Sequence, residues 1–371
     1  MFSLLGTLLF YDFLIAICFI LCSAYERTHR NIFKYAPYII LVIVSILRYD
    51  IGADYENMYD DIAYMANHPS EYHFQHFIDD NSRTPGLKIL VLLFHSFPEP
   101  SIWVIGFYSI IFLSSIYFLL DYYNAHKWGI FVLFISFLLF QSWDWIKQSA
   151  SLGLIACSLV FLDRGKVKKS FYFMLLSITF HLSSIFTLPI LLCRRICVSS
   201  HLMSYVLIVI FVLAELGFFN PIYNLLLQIT PFYGEIYSRS QYAELSEFFY
   251  RSTSYILFSL WCIVVVFFST KKTGFLNVLF FLGATLYMIS GGSLLIDRIS
   301  IYYMLPQIVI FPLIMKSKHI RVVNYIITIM ILANLVLINR RFIEYGDVRG
   351  CVPYETVFST HHNNHTFRWK E

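Results

Sequence analysis

The segment Arg48-Tyr49-Asp50-Ile51-Gly52-Ala53-Asp54-Tyr55 follows directly on the apolar run Tyr38 to Leu47. At the rim of a membrane span every polar group must find a partner or water, so a charge pair and a Gly-X-Asp-Tyr turn placed there mark a functional candidate. Arg48 supplies a planar guanidinium that stays charged, and Asp54 a carboxylate; the bland alternative is an ordinary loop entry with an interfacial Arg. Three further polar islands interrupt apolar sequence. Trp143-Asp144-Trp145-Ile146-Lys147-Gln148 separates two apolar runs, and Lys147 there reads either as part of a site or as a lysine snorkelling from an aromatic belt. His181, in Ile178-Thr179-Phe180-His181-Leu182-Ser183-Ser184, is either a packed core histidine or one lining a wet cavity. Asp297-Arg298 follows Gly291-Gly292-Ser293 and opens a run bearing Tyr302 and Tyr303; it is either an interfacial pair or part of a functional site.

The elements that must position these groups are membrane helices. Of the 371 residues 58% are hydrophobic and 13% charged, and the mean hydropathy is +0.66, well above the needs of a soluble core. The apolar runs approach the length at which a helix crosses the hydrocarbon layer, and the alternating pattern of a membrane barrel is missing. The class expected is therefore all-α and polytopic. Twelve apolar runs follow in order: 2–22, 35–47, 86–97, 101–120, 128–143, 145–162, 170–192, 202–219, 253–269, 275–295, 299–315 and 322–338. Basic clusters at Arg27 to Lys34, Arg164 to Lys169, Arg194-Arg195, Lys271-Lys272 and Lys316 to Arg321 read as cytoplasmic. The loop 48–85, with eight acids against two arginines, reads as external, as does 220–251. These assignments agree if 86–97 dips in from outside and 170–192 breaks near His181 and re-enters from the cytoplasmic side. The expected count is ten full spans plus two partial ones. The expected organisation is a single transmembrane domain over 1–338 and an external tail over 339–371.

Net charge +4 is spread over short clusters between apolar runs, which argues against a nucleic-acid surface. Seven cysteines include no C-x-x-C pair, so neither a disulfide framework nor a zinc site is expected. The first run lacks a basic leader and a small-residue cleavage site, and is expected to remain as a span. His361, His362 and His365 fall in what reads as a mobile tail, and no metal or other cofactor is expected.

Taken together, these motifs carry a resemblance. Arg-x-x-x-Gly-x-Asp-Tyr after the second run, Pro-Gly before a short run, a basic residue with Gln before a mid-chain run, Phe-His-x-Ser, Asp-Arg-x-x-x-Tyr, and the closing Pro353-Tyr354-Glu355-Thr356-Val357-Phe358 resemble the EpsG family of membrane proteins. That family is similar to oligosaccharide-repeat polymerases of the Wzy type, which build O-antigen, capsule and exopolysaccharide. Members usually show Glu-Pro-Gly-Tyr where this chain has Thr84-Pro85-Gly86-Leu87, and Arg-Gln where it has Lys147-Gln148. Without that Glu, Asp54 is the better carboxylate candidate.

The resemblance implies a fold like the GT-C membrane glycosyltransferases. It also implies a reaction at the periplasmic face of the bacterial inner membrane. A glycan passes from undecaprenyl diphosphate to the terminal sugar of another lipid-linked repeat, with a chain-length regulator and a flippase as further partners. Asp54, His181 and Arg48 are the expected catalytic groups. Tyr55, Lys147, Gln148 and Arg298 are expected to bind diphosphate or sugar. No Gly-rich phosphate loop or βαβ unit points to a sugar-nucleotide transferase. A lipid-linked glycan ligase shares donor and leaving group and stays open, as does a flippase or transporter, although related halves are not visible.

Overall fold

The computed structural model describes residues 4–68, 84–196, 198–219, 253–269, 274–290 and 294–317, scattered positions between 325 and 343, and residues 351 and 353–358. Among these residues the chain is helical, and β pairing is confined to an isolated antiparallel bridge between Arg48 and Thr356. In order come α1 (Leu4–Thr28), α2 (Asn31–Leu47), α3 (Tyr55–Asn67), α4 (Pro85–Phe94), α5 (Pro100–Tyr122), α6 (His126–Ile135), α7 (Leu138–Asp144), α8 (Ile146–Asp163) and α9 (Val167–Phe180). After a 3₁₀ turn (Leu182–Thr187) follow α10 (Ile190–Cys193), α11 (Ser200–Glu215), α12 (Thr253–Phe268), α13 (Gly274–Ile289), α14 (Leu294–Met304) and α15 (Gln307–Lys316).

Both faces of the outer helices are apolar, which identifies the solvent around them as lipid. In α1, Tyr11, Leu14, Cys18 and Cys22 are buried, while Leu5, Leu9, Phe13 and Ile20 stand exposed on the opposite face at helical spacing. The stripe Leu202, Tyr205, Val209, Val212 and Leu216 does the same on α11. Among the described residues, four stretches are long and apolar enough to cross a bilayer: Leu4–Thr28, Pro100–Tyr122, Ile146–Asp163, and Ile296–Lys316, which takes in most of α14 and all of α15. Shorter apolar helices of 10–17 residues accompany them. Small residues let these helices approach closely, as membrane packing requires. A Cβ on Gly153 of α8 would stand 2.9 Å from the Cα of Phe112 in α5.

The bundle has two chemically distinct ends. At one, Lys34 pairs with Asp121, Lys127 with Glu26 at 3.5 Å, and Lys316 Nζ donates to the Asn124 carbonyl at 2.5 Å. Tyr122 and Asp163 hydrogen-bond there at 3.0 Å, and Arg164 lies 4.6 Å from the Tyr122 ring centroid. Lys34, Arg164 and Lys316, one from each of three basic clusters, therefore collect on one side. Arg194 joins them, since its Nη2 lies 3.3 Å from the position of a Cβ on Gly165. The run between those two residues thus leaves this end as α9, turns, and returns through α10.

At the opposite end the C-terminal segment folds back across the starts and ends of the first helices. Tyr11 Oη donates to the Cys351 carbonyl at 2.7 Å, and Tyr354 N donates to Thr7 Oγ1 at 3.0 Å. Tyr354 Oη donates to the Val44 carbonyl at 2.8 Å, Tyr49 N to Glu355 O and Val357 N to Leu47 O, both at 3.0 Å. Hydropathy gave no hint of this strap. It also misses a break in the run 128–143, where Phe137 takes φ 63 between α6 and α7. A bulky side chain in that left-handed region ends a helix that apolar composition alone would continue. The loop 220–251, expected to be external, most of 69–85 and the tail histidines His361, His362 and His365 lie outside the described residues.

Candidate functional site

Arg48 ends α2 and sits beneath the strap, 1% exposed. Its Nη1 donates to the Ser45 carbonyl and to Ser109 Oγ, each at 2.8 Å, and the guanidinium lies 5.8 Å from the Trp143 ring centroid. Nε and Nη2 are buried without a hydrogen-bond partner. Trp143 in turn donates its indole N–H to Ser45 Oγ at 2.9 Å, so Arg48 and the end of α7 share one support.

The chain then turns sharply. Gly52 adopts φ +104, and a Cβ there would lie 2.3 Å from the Trp143 carbonyl oxygen, so only glycine fits. The next amide, of Ala53, donates to Asp144 Oδ1 at 2.9 Å. Asp54 follows at the mouth of α3 in a partly buried position. Burial raises its carboxyl above the ordinary carboxylate value; Arg298 and then Lys147 oppose that rise. Tyr55 lies behind the loop, 2% exposed, packed on Tyr49 and Tyr59, with its hydroxyl 3.4 Å from the Arg48 carbonyl.

Lys147 and Gln148 open α8 directly after the Trp143-Asp144 support. Gln148 is buried and donates through Nε2 to the Arg298 carbonyl at 2.6 Å, pinning the first turn of α14. The Arg298 guanidinium lies 5.8 Å from the Trp145 ring centroid. His181 occupies the break after α9, where φ −153 and ψ 119 end the helix in extended backbone. Its Nδ1 contacts Ser183 Oγ at 2.6 Å, and the charges of Arg298 and Lys147 act on it as they act on Asp54. The tip of α4 reaches the same level: a Cβ on Gly86 would lie 2.9 Å from the Phe180 ring and 3.0 Å from the Thr179 carbonyl.

The seven residues singled out in the sequence thus divide in two. Asp54, Lys147, His181 and Arg298 are partly buried and share one electrostatic neighbourhood. Arg48, Tyr55 and Gln148 are buried behind them. Asp144, Trp143 and Trp145 were not singled out individually, although the polar island containing them was visible. Tyr302, which contacts Ser183, was likewise visible only as part of a motif. Among the described residues no group of three or more His, Cys, Asp or Glu is placed to hold a metal.

Residues 31–356 match the EpsG family, and every element of this neighbourhood falls inside the match. The chain belongs to the EpsG family. No curated protein matches, and no solved structure matches. Membership points to polysaccharide biosynthesis in the membrane and to a polymerase of glycosyltransferase type. It also explains why motifs dispersed along this EpsG-family chain meet: Gly-x-Asp-Tyr, Lys-Gln, Phe-His-x-Ser and Asp-Arg-x-x-x-Tyr supply the loop, the cations and the imidazole of one place. The Pro-Gly motif abuts it, so Thr84, where members usually have Glu, sits beside the same site. Its Oγ1 and the Tyr108 hydroxyl are both buried and face each other there.

Proposed function

We propose that this protein is an oligosaccharide-repeat polymerase of the bacterial inner membrane. It transfers a glycan from undecaprenyl diphosphate to the terminal sugar of another lipid-linked repeat. The observation that supports this reading is the convergence of a carboxylate, an imidazole and two cations, Asp54, His181, Lys147 and Arg298, at one rim of an apolar bundle. The acceptor hydroxyl oxygen attacks the anomeric carbon of the donor glycan, the bond from that carbon to the diphosphate oxygen breaks, and the hydroxyl proton passes to a base. Asp54 is the first candidate for that base and His181 the second.

The departing lipid diphosphate carries the negative charge that develops, and fixed cations at the membrane rim stabilise it. Lys147 and Arg298 are the groups for this task, and they do it without a metal. Arg48, held below with two unsatisfied donors, adds its field and fixes the loop. Tyr55 and Gln148 serve substrate binding by holding Asp54's loop and Arg298's turn. The basic end of the bundle is cytoplasmic by the positive-inside rule, which puts the site on the periplasmic side. In that orientation the helical hairpin through His181 re-enters from the cytoplasm. The ten-residue α4, about 15 Å long, dips in from outside. Ten full spans then complete a GT-C-like body, served by a flippase and a chain-length regulator.

Deleting the gene and resolving the surface polysaccharide on a gel tests this directly. Single-repeat product is expected. Absence of any product favours a flippase, and long unligated polymer favours a ligase.

A further inference from the structure

His181 does not stand alone in the bundle. Its Nδ1 contacts Ser183 Oγ at 2.6 Å, Ser183 Oγ contacts Tyr302 Oη at 3.3 Å, and Tyr302 Oη donates to Ser151 Oγ at 3.2 Å. The series joins the break after α9 to α14 and α8, and its inner members, Tyr302 and Ser151, are fully buried. We propose that Ser183 and Tyr302 are positioning residues that hold His181 with Nδ1 protonated, so that its bare Nε2 accepts a hydrogen bond from a sugar hydroxyl. The sugar rests on the polymerase reading above; the tautomer does not.

The argument is a proton count. A hydroxyl has one proton to give. Tyr302 gives its proton to Ser151, so it meets Ser183 only as an acceptor, and Ser183 must donate to it. With its proton committed there, Ser183 can only accept from His181, which places the imidazole proton on Nδ1. The opposite assignment, with Ser183 donating to Nδ1, either turns the Tyr302 proton away from Ser151 or leaves two oxygen lone pairs facing each other at the Ser183 to Tyr302 contact, in a buried place where an unmade hydrogen bond is costly. The backbone at the break is fixed as well, because Ser184 Oγ donates to the His181 carbonyl at 2.9 Å. Nε2 has no hydrogen-bond partner among the described residues, and the side chain is partly exposed.

The consequence is a division of labour. A bare imidazole nitrogen attracts hydroxyl groups and repels phosphate oxygens, whereas Lys147 and Arg298 do the reverse. The substrate therefore lies with its sugar towards His181 and its diphosphate towards the two cations. Ser183 and Tyr302 touch neither, and act only through the ring they orient.

The test uses the full chain in lipid nanodiscs with ¹⁵N-labelled histidine, the His181 resonances being assigned by difference from His181→Gln. A protonated Nδ1 and an unprotonated Nε2 are expected at neutral pH. Ser183→Ala and Tyr302→Phe should each shift signal towards the Nε2-protonated tautomer, while Ser183→Thr, which keeps the hydroxyl, should not. A wild-type ring protonated at Nε2 overturns the proposal. Polymer length gives a second readout. The amide of Gln reaches the position of Nε2 and that of Asn the position of Nδ1, so His181→Gln should retain about five-fold more polymer than His181→Asn, the worth of one hydrogen bond. The reverse order also overturns the proposal. A protein with the expected tautomer that makes no polymer at all overturns the polymerase reading and leaves the tautomer standing.

Discussion

Gly52 and Trp143 meet backbone to backbone, so closely that a methyl group on Gly52 would overlap the Trp143 carbonyl oxygen. This contact joins the loop that carries Asp54 to the strip that carries Lys147. Gly52→Ala incurs both the overlap and the strain of φ +104, together about 1–3 kcal/mol. Long polymer should disappear, while Ala53→Gly, beside it, should be tolerated. Normal chain length in Gly52→Ala would show that the loop and the strip work independently.

The cations differ in exposure and should differ in phenotype. Lys147→Ala and Arg298→Ala remove partly exposed charges, and each should cut polymer synthesis by about 10²-fold with protein abundance unchanged. Lys147→Arg should retain function, because family members usually carry Arg at that position. Arg48→Ala empties a buried site and removes two hydrogen bonds, so it should also lower stability, by about 2–4 kcal/mol. Immunoblots beside polysaccharide gels separate the two effects; equal loss of abundance in all three variants would make every one of these charges structural.

The raised Asp54 carboxyl gives a pH signature. A base works only when deprotonated, and burial makes Asp54 take up a proton at higher pH than an ordinary carboxylate. Activity should therefore fall on the acid side earlier than for an unperturbed Asp. Arg298 and Lys147 both hold the carboxyl down, so in the residual activity of Lys147→Met that acid limb should move to still higher pH. Asp54→Asn should be as inactive as Asp54→Ala at every pH, since an amide cannot take up the proton. Near-normal chain length in Asp54→Asn would transfer the base role to His181.

The helical hairpin through His181 fixes a topological expectation. Reporters fused after Lys169 and after Arg195 should both read cytoplasmic, and a reporter at Asp80 should read periplasmic. Opposite readings at Lys169 and Arg195 would mean that this stretch crosses the bilayer.

Much of this was legible in the sequence because hydropathy reports what a helix prefers as solvent. Composition fixes a helical membrane body, and the polar break at His181 shows as an interruption of apolar sequence. The site is legible only as fragments. Ala53 and Asp144 pair across 91 residues, and Tyr11 and Cys351 across 340, distances over which no local pattern reports a partner. The break at Phe137 is hidden for another reason: both sides of it are apolar, and a left-handed backbone leaves no trace in hydropathy. Tyr55 and Gln148 are legible by type as site residues, but the direction they face is not: packing decides it, and both are buried.

The strap formed by Cys351 and residues 353–357 has a consequence for synthesis. The ceiling over Arg48 is made of residues translated long after its floor, α1 and α2. Until that later stretch leaves the ribosome, the first two helices must wait in the bilayer with Thr7, Tyr11 and Val44 lacking the partners they later acquire. A chain stopped short, whether by a nonsense codon or by a protease, therefore never completes the site. A copy ending before Cys351 is expected to be silent rather than partly active.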